Sequence, residues 1–171
     1  MLKLIGAILV ITGTCAWSGG GILRLKRHND TLSGMISALH IMKSEICVRL
    51  STMPEVAALL EKTIPYPVNT FFALVKKNLS KLGDMPFEEI WKKSIEGCGD
   101  LVLYEHEKTA LIELGLSLGK YDIEEQKSAV LLAITRLEMF KKKAEAKKEH
   151  DTRIRAVLGM ASGVFAVMIL L

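Results

Sequence analysis

The chain has 171 residues, of which 50% are hydrophobic and only 6% aromatic, with a formal net charge of +4. Two long apolar ends leave roughly 130 residues between them, which is enough for one modest domain with its own core. Few aromatic residues with abundant Leu, Ile, Met and Ala favour helices packed on helices over a sheet. The composition therefore predicts an all-α domain.

The positive charge is concentrated beside the apolar ends. Residues 24–28 and 141–155 together carry ten of the basic residues, whereas residues 29–140 hold 12 basic against 16 acidic residues, a net of −4. Nucleic-acid binding would need a basic face with aromatic stacking platforms on the domain itself. We therefore expect no nucleic-acid partner, and we expect the basic flanks to lie near anionic lipid, where each Lys or Arg gains on the order of 1 kcal/mol.

The first predicted element is an uncharged apolar segment over residues 4–23, followed at once by basic residues. At about 1.5 Å per residue, a helix of this length spans roughly 30 Å of hydrocarbon. Basic flanks of membrane helices stay in the cytoplasm. We predict an N-terminal transmembrane anchor over residues 1–23, with its amino end outside.

Two alternatives to a retained anchor concern the same segment. A signal peptide cleaved after Ala16 is compatible with the apolar length and with the charge of Lys3. The charge after the segment exceeds the charge before it, which favours retention. Lipidation at Cys15 is disfavoured, because residues 12–14 lack the usual Leu and the small residue that precedes a lipidated cysteine. Three glycines at 19–21 predict a bend or a close helix contact.

The middle of the chain repeats apolar residues at intervals of three and four, which predicts amphipathic helices. The predicted helices, separated by Pro and Gly residues, cover about 30–50, 55–62, 68–82, 86–97, 100–118 and 123 onward. No strand-like alternation and no repeat is present in the sequence. We predict a bundle of about five to six helices over residues 24–153, flanked by transmembrane helices.

Several side chains receive specific predictions. Trp91 is expected in the core, and Asp100 and Asp122 are expected to be N-caps of the helices that follow them. Gly119 is expected to end a helix in the left-handed conformation, and Gly115 to allow close helix packing. The apolar stripes also predict that four leucines face inward, namely Leu50, Leu59, Leu82 and Leu131.

The last predicted helix continues without Pro or Gly from Ile123 to Leu158, into a second apolar segment at 154–171. Both basic flanks border the central segment, so we expect that segment in the cytoplasm and both termini outside. An acidic protein partner is the alternative for the lysine cluster. The basic residues expected at the membrane surface are Arg24, Lys26, Arg27, Lys141, Lys142, Lys143, Lys147, Lys148, Arg153 and Arg155.

No residue pattern in the sequence indicates catalysis, a cofactor or a metal site. The sequence has no GK[ST] loop, no nucleophile elbow and no HExxH. The run 105–107 (Glu-His-Glu) places neighbours about 100° apart on a helix, where they do not converge on one ion. The four histidines, at 28, 40, 106 and 150, are therefore interpreted as surface residues. We expect a non-enzymatic protein with no small-molecule substrate.

An ordered set of motifs extends along the whole chain. It begins with Met1–Ala7 and the anchor with its basic flank, and it ends with the charged helix that enters the second apolar segment. The most distinctive part is Leu114, Gly115, Leu118 and Gly119, followed by Asp122 and Gln126. In these features the chain resembles the stage III sporulation protein AB family of endospore-forming Firmicutes.

The resemblance implies a function and a set of partners. Proteins of that family are similar to the inner-membrane platform protein of type II secretion and type IV pilus machines, in a channel complex that links mother cell and forespore. The implied partners are a cytoplasmic secretion-type ATPase, other membrane and ring components, and the lipid bilayer. The implied role is a scaffold in the mother-cell membrane that faces the forespore. An alternative class is a membrane-anchored sensor or receptor with an external ligand-binding bundle, which the basic flanks oppose.

Overall fold

The computed structural model describes residues 23–119 and 122–146 with their side chains, and residues 2–22 and 147–170 as helical backbone only. The helices are α1 (Leu2–Cys47), α2 (Met53–Thr63), α3 (Val68–Asn78), α4 (Phe87–Gly97), α5 (Glu105–Leu118) and α6 (Ile123–Leu170), with a 3-10 turn at Leu79–Lys81. One isolated bridge joins Leu82 to Met85, and no strand occurs within the described ranges. The predicted all-α fold with about six helices is confirmed.

The two predicted transmembrane segments, 1–23 and 154–171, lie outside the residues with described side chains, apart from Leu23. Between residue 23 and residue 146, the described helices contain no stretch long and apolar enough to cross a bilayer. Helix α1 is continuous from Leu2, so the first apolar segment and the helix predicted from residue 30 form one element. Helix α6 is likewise continuous to Leu170.

The bundle has two ends, which we name by the course of α1 and α6. Leu25 of α1 and Ala144 of α6 line one cavity, so both helices leave the bundle at the same end; we call it the stem end. At the opposite end, which we call the far end, the end of α5 meets the start of α4: a Cβ added to Gly119 would lie 3.8 Å from Cβ of Phe87. Leu82 lies in the loop just before α4. Helices α1 and α6 pack on each other more extensively than any other pair.

One apolar core joins all six helices. Phe71, Phe72 and Trp91 are fully buried, and their ring centroids lie 4.9 to 6.3 Å apart in edge-on arrangements. Edge-on contacts bring the positive edge of one ring to the negative face of another. The indole Nε1–H of Trp91 donates to the carbonyl oxygen of Leu111 at 2.8 Å, so its burial leaves no polar group unpaired. The prediction that Trp91 lies in the core is confirmed.

Four leucines expected to face inward are exposed, which corrects the sequence interpretation. Leu50 is 66% exposed because α1 ends at Cys47, and its φ of +54° shows that the chain has already left the helix. Leu82 is 53% exposed because it follows the 3-10 turn. Leu59 and Leu131 lie at the margins of their helical stripes and are 36% and 41% exposed. The inward side of α6 consists of Val130, Ala133, Ile134 and Leu137.

The start of α5 also differs from the prediction. Helix α5 begins at Glu105 with Tyr104 as its N-cap residue, so Asp100 is not a cap. Residues 98–104 form a loop, in which a carboxylate oxygen of Asp100 accepts the hydroxyl of Tyr66 at 3.0 Å. The spacing of apolar residues gives no signal for this loop, because Leu101 is buried although it is not helical.

The boundary between α5 and α6 is predicted correctly in one respect and wrongly in another. Gly119 has a right-handed φ of −76°, so the expected left-handed conformation is wrong. Asp122 is confirmed as the N-cap of α6, since its Oδ1 accepts the backbone N–H of Glu124 at 3.0 Å. Such a cap satisfies a donor that has no partner within the helix.

Candidate functional site

A buried polar contact joins α1 to the start of α5 at the stem end. Nε2 of His28 lies 2.9 Å from both carboxylate oxygens of Glu107, and the two residues are 2% and 1% exposed. The same carboxylate accepts the backbone N–H of Tyr104 at 2.8 Å. Glu107 therefore caps α5 and holds α5 against α1 at the same time. We refer to this contact as the His28–Glu107 pair.

Thr31 attaches the loop 98–104 to α1 one turn further along the helix. Its side chain is fully buried. Its Oγ1 donates to the carbonyl oxygen of Arg27 at 2.9 Å and accepts the N–H of Val102 at 3.4 Å. Because buried polar groups are costly unless they are hydrogen-bonded, these contacts fix the loop at a defined position on α1.

The surroundings of His28 correct its interpretation as a surface residue. Its ring packs on that of Tyr104, with centroids 4.6 Å apart, and its Nδ1 is buried without a hydrogen-bond partner among the described residues. The partner of His28 lies 79 positions away in the sequence. No local pattern identifies a contact of this kind; the one weak signal is that Glu107 lies three and four residues before the apolar Ala110 and Leu111 of α5.

Two cavities flank His28. One of about 200 Å³ is lined by Arg24, Leu25, His28, Val102 and Tyr104. The other, of about 110 Å³, lies towards α6 and is lined by Leu25, His28, Asn29, Ala144 and Glu145. Within the described part of the chain, no group of three His, Cys, Asp or Glu side chains is placed to hold a metal ion.

Two tyrosines are exposed at the stem end, which the sequence analysis did not anticipate. Tyr66 and Tyr104 are 55% and 52% exposed. The hydrogen bond to Asp100 raises the pKa of the Tyr66 hydroxyl, and the charge of the nearby Arg27 opposes that shift in pKa. Tyr66 is thus bonded to the loop 98–104, whose Val102 is bonded to Thr31 of α1.

The stem end also brings together the two basic clusters predicted for the membrane surface. The first cluster, at 24, 26 and 27, is exposed on α1. In the second, Lys142 and Lys143 are exposed, while Lys141 is half-buried and lies 3.9 Å from Glu145. The remaining residues of the prediction, Lys147, Lys148, Arg153 and Arg155, lie outside the residues with described side chains.

The glycine motif of α5 lies away from the stem end and serves packing. Leu114 and Leu118 are buried. A Cβ on Gly115 would lie 2.4 Å from Cδ1 of Trp91, so only glycine lets α5 approach the indole this closely. The expectation of close helix packing at Gly115 is confirmed, and the motif positions α5 rather than binding a ligand.

Comparisons with known proteins agree along the whole chain. The family model of stage III sporulation protein AB matches residues 3–171. The stage III sporulation protein AB of Bacillus subtilis (strain 168) is 25% identical over 173 residues, which cover 100% of both chains. A solved structure of stage III sporulation protein AB has a TM-score of 0.67 and 24% identity, and it covers 72% of this chain and 98% of its own. This last similarity shows a shared fold.

Proposed function

Because this chain belongs to the stage III sporulation protein AB family, we propose that it is a non-enzymatic platform subunit of a secretion-like channel between mother cell and forespore. Family membership supports a role in sporulation. The proposal adds that residues 1–23 and 154–171 cross the mother-cell membrane facing the forespore. The bundle then lies in the cytoplasm with both termini outside, as the basic flanks indicate.

In this role the bundle couples a cytoplasmic secretion-type ATPase to the membrane assembly and its ring components. The observation that carries the proposal is the continuity of α1 and α6, which belong to the core and continue without a break towards both termini. A flexible linker would dissipate a displacement of the bundle. Two continuous helices that leave the bundle at one end would instead transmit that displacement to the membrane.

The His28–Glu107 pair and Thr31 strengthen this coupling. They tie α1 to α5 and to the loop 98–104 through buried hydrogen bonds. Buried polar contacts have narrow geometry, and breaking one leaves an unsatisfied group. Helix α1 is therefore held in one register relative to α5, so that a force on the bundle moves α1 with it. The bundle itself performs no catalysis and takes no small-molecule substrate in this proposal.

The first experiment tests association. The full chain, reconstituted in lipid nanodiscs, is mixed with the purified ATPase of the channel at micromolar concentration. We expect the two to co-purify, and alanine substitution of an exposed patch on the bundle to abolish binding while the helical content is unchanged. Absence of association with the unsubstituted chain would overturn the coupling role.

A second experiment tests sidedness and the receptor alternative. Leu82→Cys places a thiol at an exposed position of the bundle, in a chain that also carries Cys15→Ser and Cys47→Ser because Cys47 is partly exposed. The same chain without Leu82→Cys is the control, since its remaining Cys98 is buried. A membrane-impermeant maleimide should label Leu82→Cys only after the cells are lysed. Labelling in intact cells would place the bundle outside and favour a receptor with an external ligand-binding domain.

A further inference from the structure

We propose that the stem end of the bundle lies in the lipid headgroup layer, with Tyr104 at the interface and an anionic headgroup phosphate in the cavity beside Arg24. The proposal rests on the proposed function, because it takes α1 to be anchored in the membrane. It goes further, since an anchored domain need not touch the bilayer at all. The ligand is a phospholipid surface.

The depth of Tyr104 supports this position. The predicted apolar segment ends at Leu23; Tyr104 lines a cavity with Arg24, and its ring packs on that of His28 with centroids 4.6 Å apart. At about 1.5 Å per residue, positions 24 to 28 on α1 are about 2–8 Å beyond Leu23. The headgroup layer outside the hydrocarbon core is about 5–8 Å thick, so the ring of Tyr104 lies at headgroup depth. Tyr66 lies further from the hydrocarbon, because it bonds to the loop 98–104, which Thr31 holds about 12 Å beyond Leu23.

The stem end exposes a side chain of the kind that membrane interfaces favour. Among the Phe, Trp and Tyr side chains that the structure describes, Tyr66 and Tyr104 are the exposed ones. Tyrosine is enriched at membrane interfaces because its ring is apolar and its hydroxyl is polar. Tyr104 therefore presents such a ring at the end from which both predicted membrane helices leave.

The charge at the stem end is also suited to an anionic lipid surface. Three exposed basic side chains form no ion pair with any residue in the described ranges: Arg24, Lys26 and Arg27. The nearby acids are paired with a base or lie further from the apolar segment. Glu105 pairs with Lys108 at 2.8 Å, and Glu145 lies 3.9 Å from Lys141. Asp30 and the loop that carries Asp100 lie about 10–12 Å beyond the end of the apolar segment.

The cavity beside Arg24 gives this surface a defined subsite. It measures about 200 Å³ and is lined by Arg24, Tyr104 and His28, among others. A guanidinium binds phosphate through paired charge-assisted hydrogen bonds. The rigid wall opposite Arg24 is the loop that Thr31 fixes to α1, so the cavity does not depend on a mobile segment.

The test uses the full chain in vesicles of phosphatidylethanolamine and phosphatidylglycerol, with and without bromine on the acyl chains near the carbonyl. Tyr66→Trp and Tyr104→Trp place new fluorophores at the stem end, and Leu82→Trp is the matched control because Leu82 is 53% exposed at the far end. Each signal is compared with that of the unsubstituted chain. We expect the added emission to shift to the blue and to be quenched by brominated lipid at position 104, to be quenched more weakly at position 66, and to be unaffected at position 82.

The phosphate subsite is tested with Arg24→Gln in the Tyr104→Trp background. Replacing phosphatidylglycerol by phosphatidylcholine should reduce quenching of the added tryptophan, and Arg24→Gln should remove this dependence on lipid charge. Inorganic phosphate added to phosphatidylcholine vesicles should not restore the quenching, which separates a lipid headgroup from a free anion. If lipid charge has no effect with Arg24 in place, the subsite is wrong.

The remaining outcomes separate this inference from the proposed function. If the chain floats with the vesicles but neither added tryptophan is quenched, the stem end does not lie in the headgroup layer, while the proposed membrane anchor is retained. If the added tryptophans are shielded from acrylamide without lipid quenching, protein covers this end instead, and the inference fails. If the chain does not float with the vesicles, the membrane anchor itself fails. Far-ultraviolet circular dichroism of each variant verifies the fold.

Discussion

Helices α2 and α5 begin in the same way but in different surroundings. In each, the glutamate at the third helical position accepts the backbone N–H of the N-cap residue at 2.8 Å, Glu55 from Thr52 and Glu107 from Tyr104. Glu55 is exposed, whereas Glu107 is 1% exposed and also pairs with His28. Local sequence is sufficient to cap a helix, but only the surrounding helices decide whether the capping carboxylate also joins two elements.

The largest effect is expected from Glu107→Ala. The substitution leaves His28 buried without its partner and removes the cap of α5, so we expect a loss of about 3–5 kcal/mol in the free energy of unfolding. Glu55→Ala is the matched control, since it removes a similar cap at an exposed site, and its effect should be much smaller. Urea unfolding of the full chain in detergent, followed by pulse proteolysis, measures both losses.

A double-mutant cycle with His28→Ala isolates the pair itself. Residues in direct contact show a coupling free energy of about 0.5–3 kcal/mol, and we expect a value in that range for His28 and Glu107. Two outcomes would contradict this prediction: equal losses in the free energy of unfolding for Glu107→Ala and Glu55→Ala, or a coupling free energy near zero. Either would show that the buried contact with His28 adds no stability beyond that of the helix cap.

An intermediate effect is expected from Gly115→Ala, which tests a contact that depends on packing alone. The added Cβ would lie 2.4 Å from Cδ1 of Trp91, and overpacking of this kind costs about 1–3 kcal/mol. Gly97→Ala is the control, because its Cβ would lie 3.7 Å from the nearest atom, Cδ2 of Leu74. The near-ultraviolet circular dichroism of Trp91 should change in the first variant only. If both variants unfold at the same urea concentration, the close approach of α5 to Trp91 does not contribute to the stability of the bundle.

The smallest effect concerns the exposed cap and its pH dependence. Hydrogen bonds from the backbone N–H and the hydroxyl of Thr52 lower the pKa of Glu55. Since the pKa is lower in the folded state than in the unfolded state, this contribution to stability is present above the ordinary glutamate pKa of about 4.3. It is lost as pH falls through the lowered value.

Glu55→Gln should therefore reduce the acid sensitivity of α2. We expect hydrogen exchange of the α2 amides to accelerate more steeply on acidification in the unsubstituted chain than in Glu55→Gln, after correction for the intrinsic exchange rate. Identical pH profiles for the two proteins would mean that the cap carboxylate does not contribute to stability through its ionisation.

The outcome for individual residues shows which parts of the fold were predictable. Trp91 and Asp122 were predicted correctly, because exclusion from water and helix capping depend on a few neighbouring residues. Close packing at Gly115 was also predicted, but its partner, Trp91 of α4, was not. Asp100 was predicted as a cap and is instead the acceptor for Tyr66, 34 positions away. The membrane surface at the basic residues stays a prediction, and the exposed tyrosines and the buried His28–Glu107 pair were missed.

The amino-acid order by itself determined the number of helices, the cap at Asp122 and most of the apolar positions that bury against one another. It did so because helix periodicity, capping and hydrophobic burial act over a few residues at a time. The tertiary structure alone decided that His28 meets Glu107, that Tyr104 shares the stem end with the basic flank of α1, and that loop 98–104 lies on Thr31. These contacts join residues from separate elements, and their geometry exists only once the helices have packed.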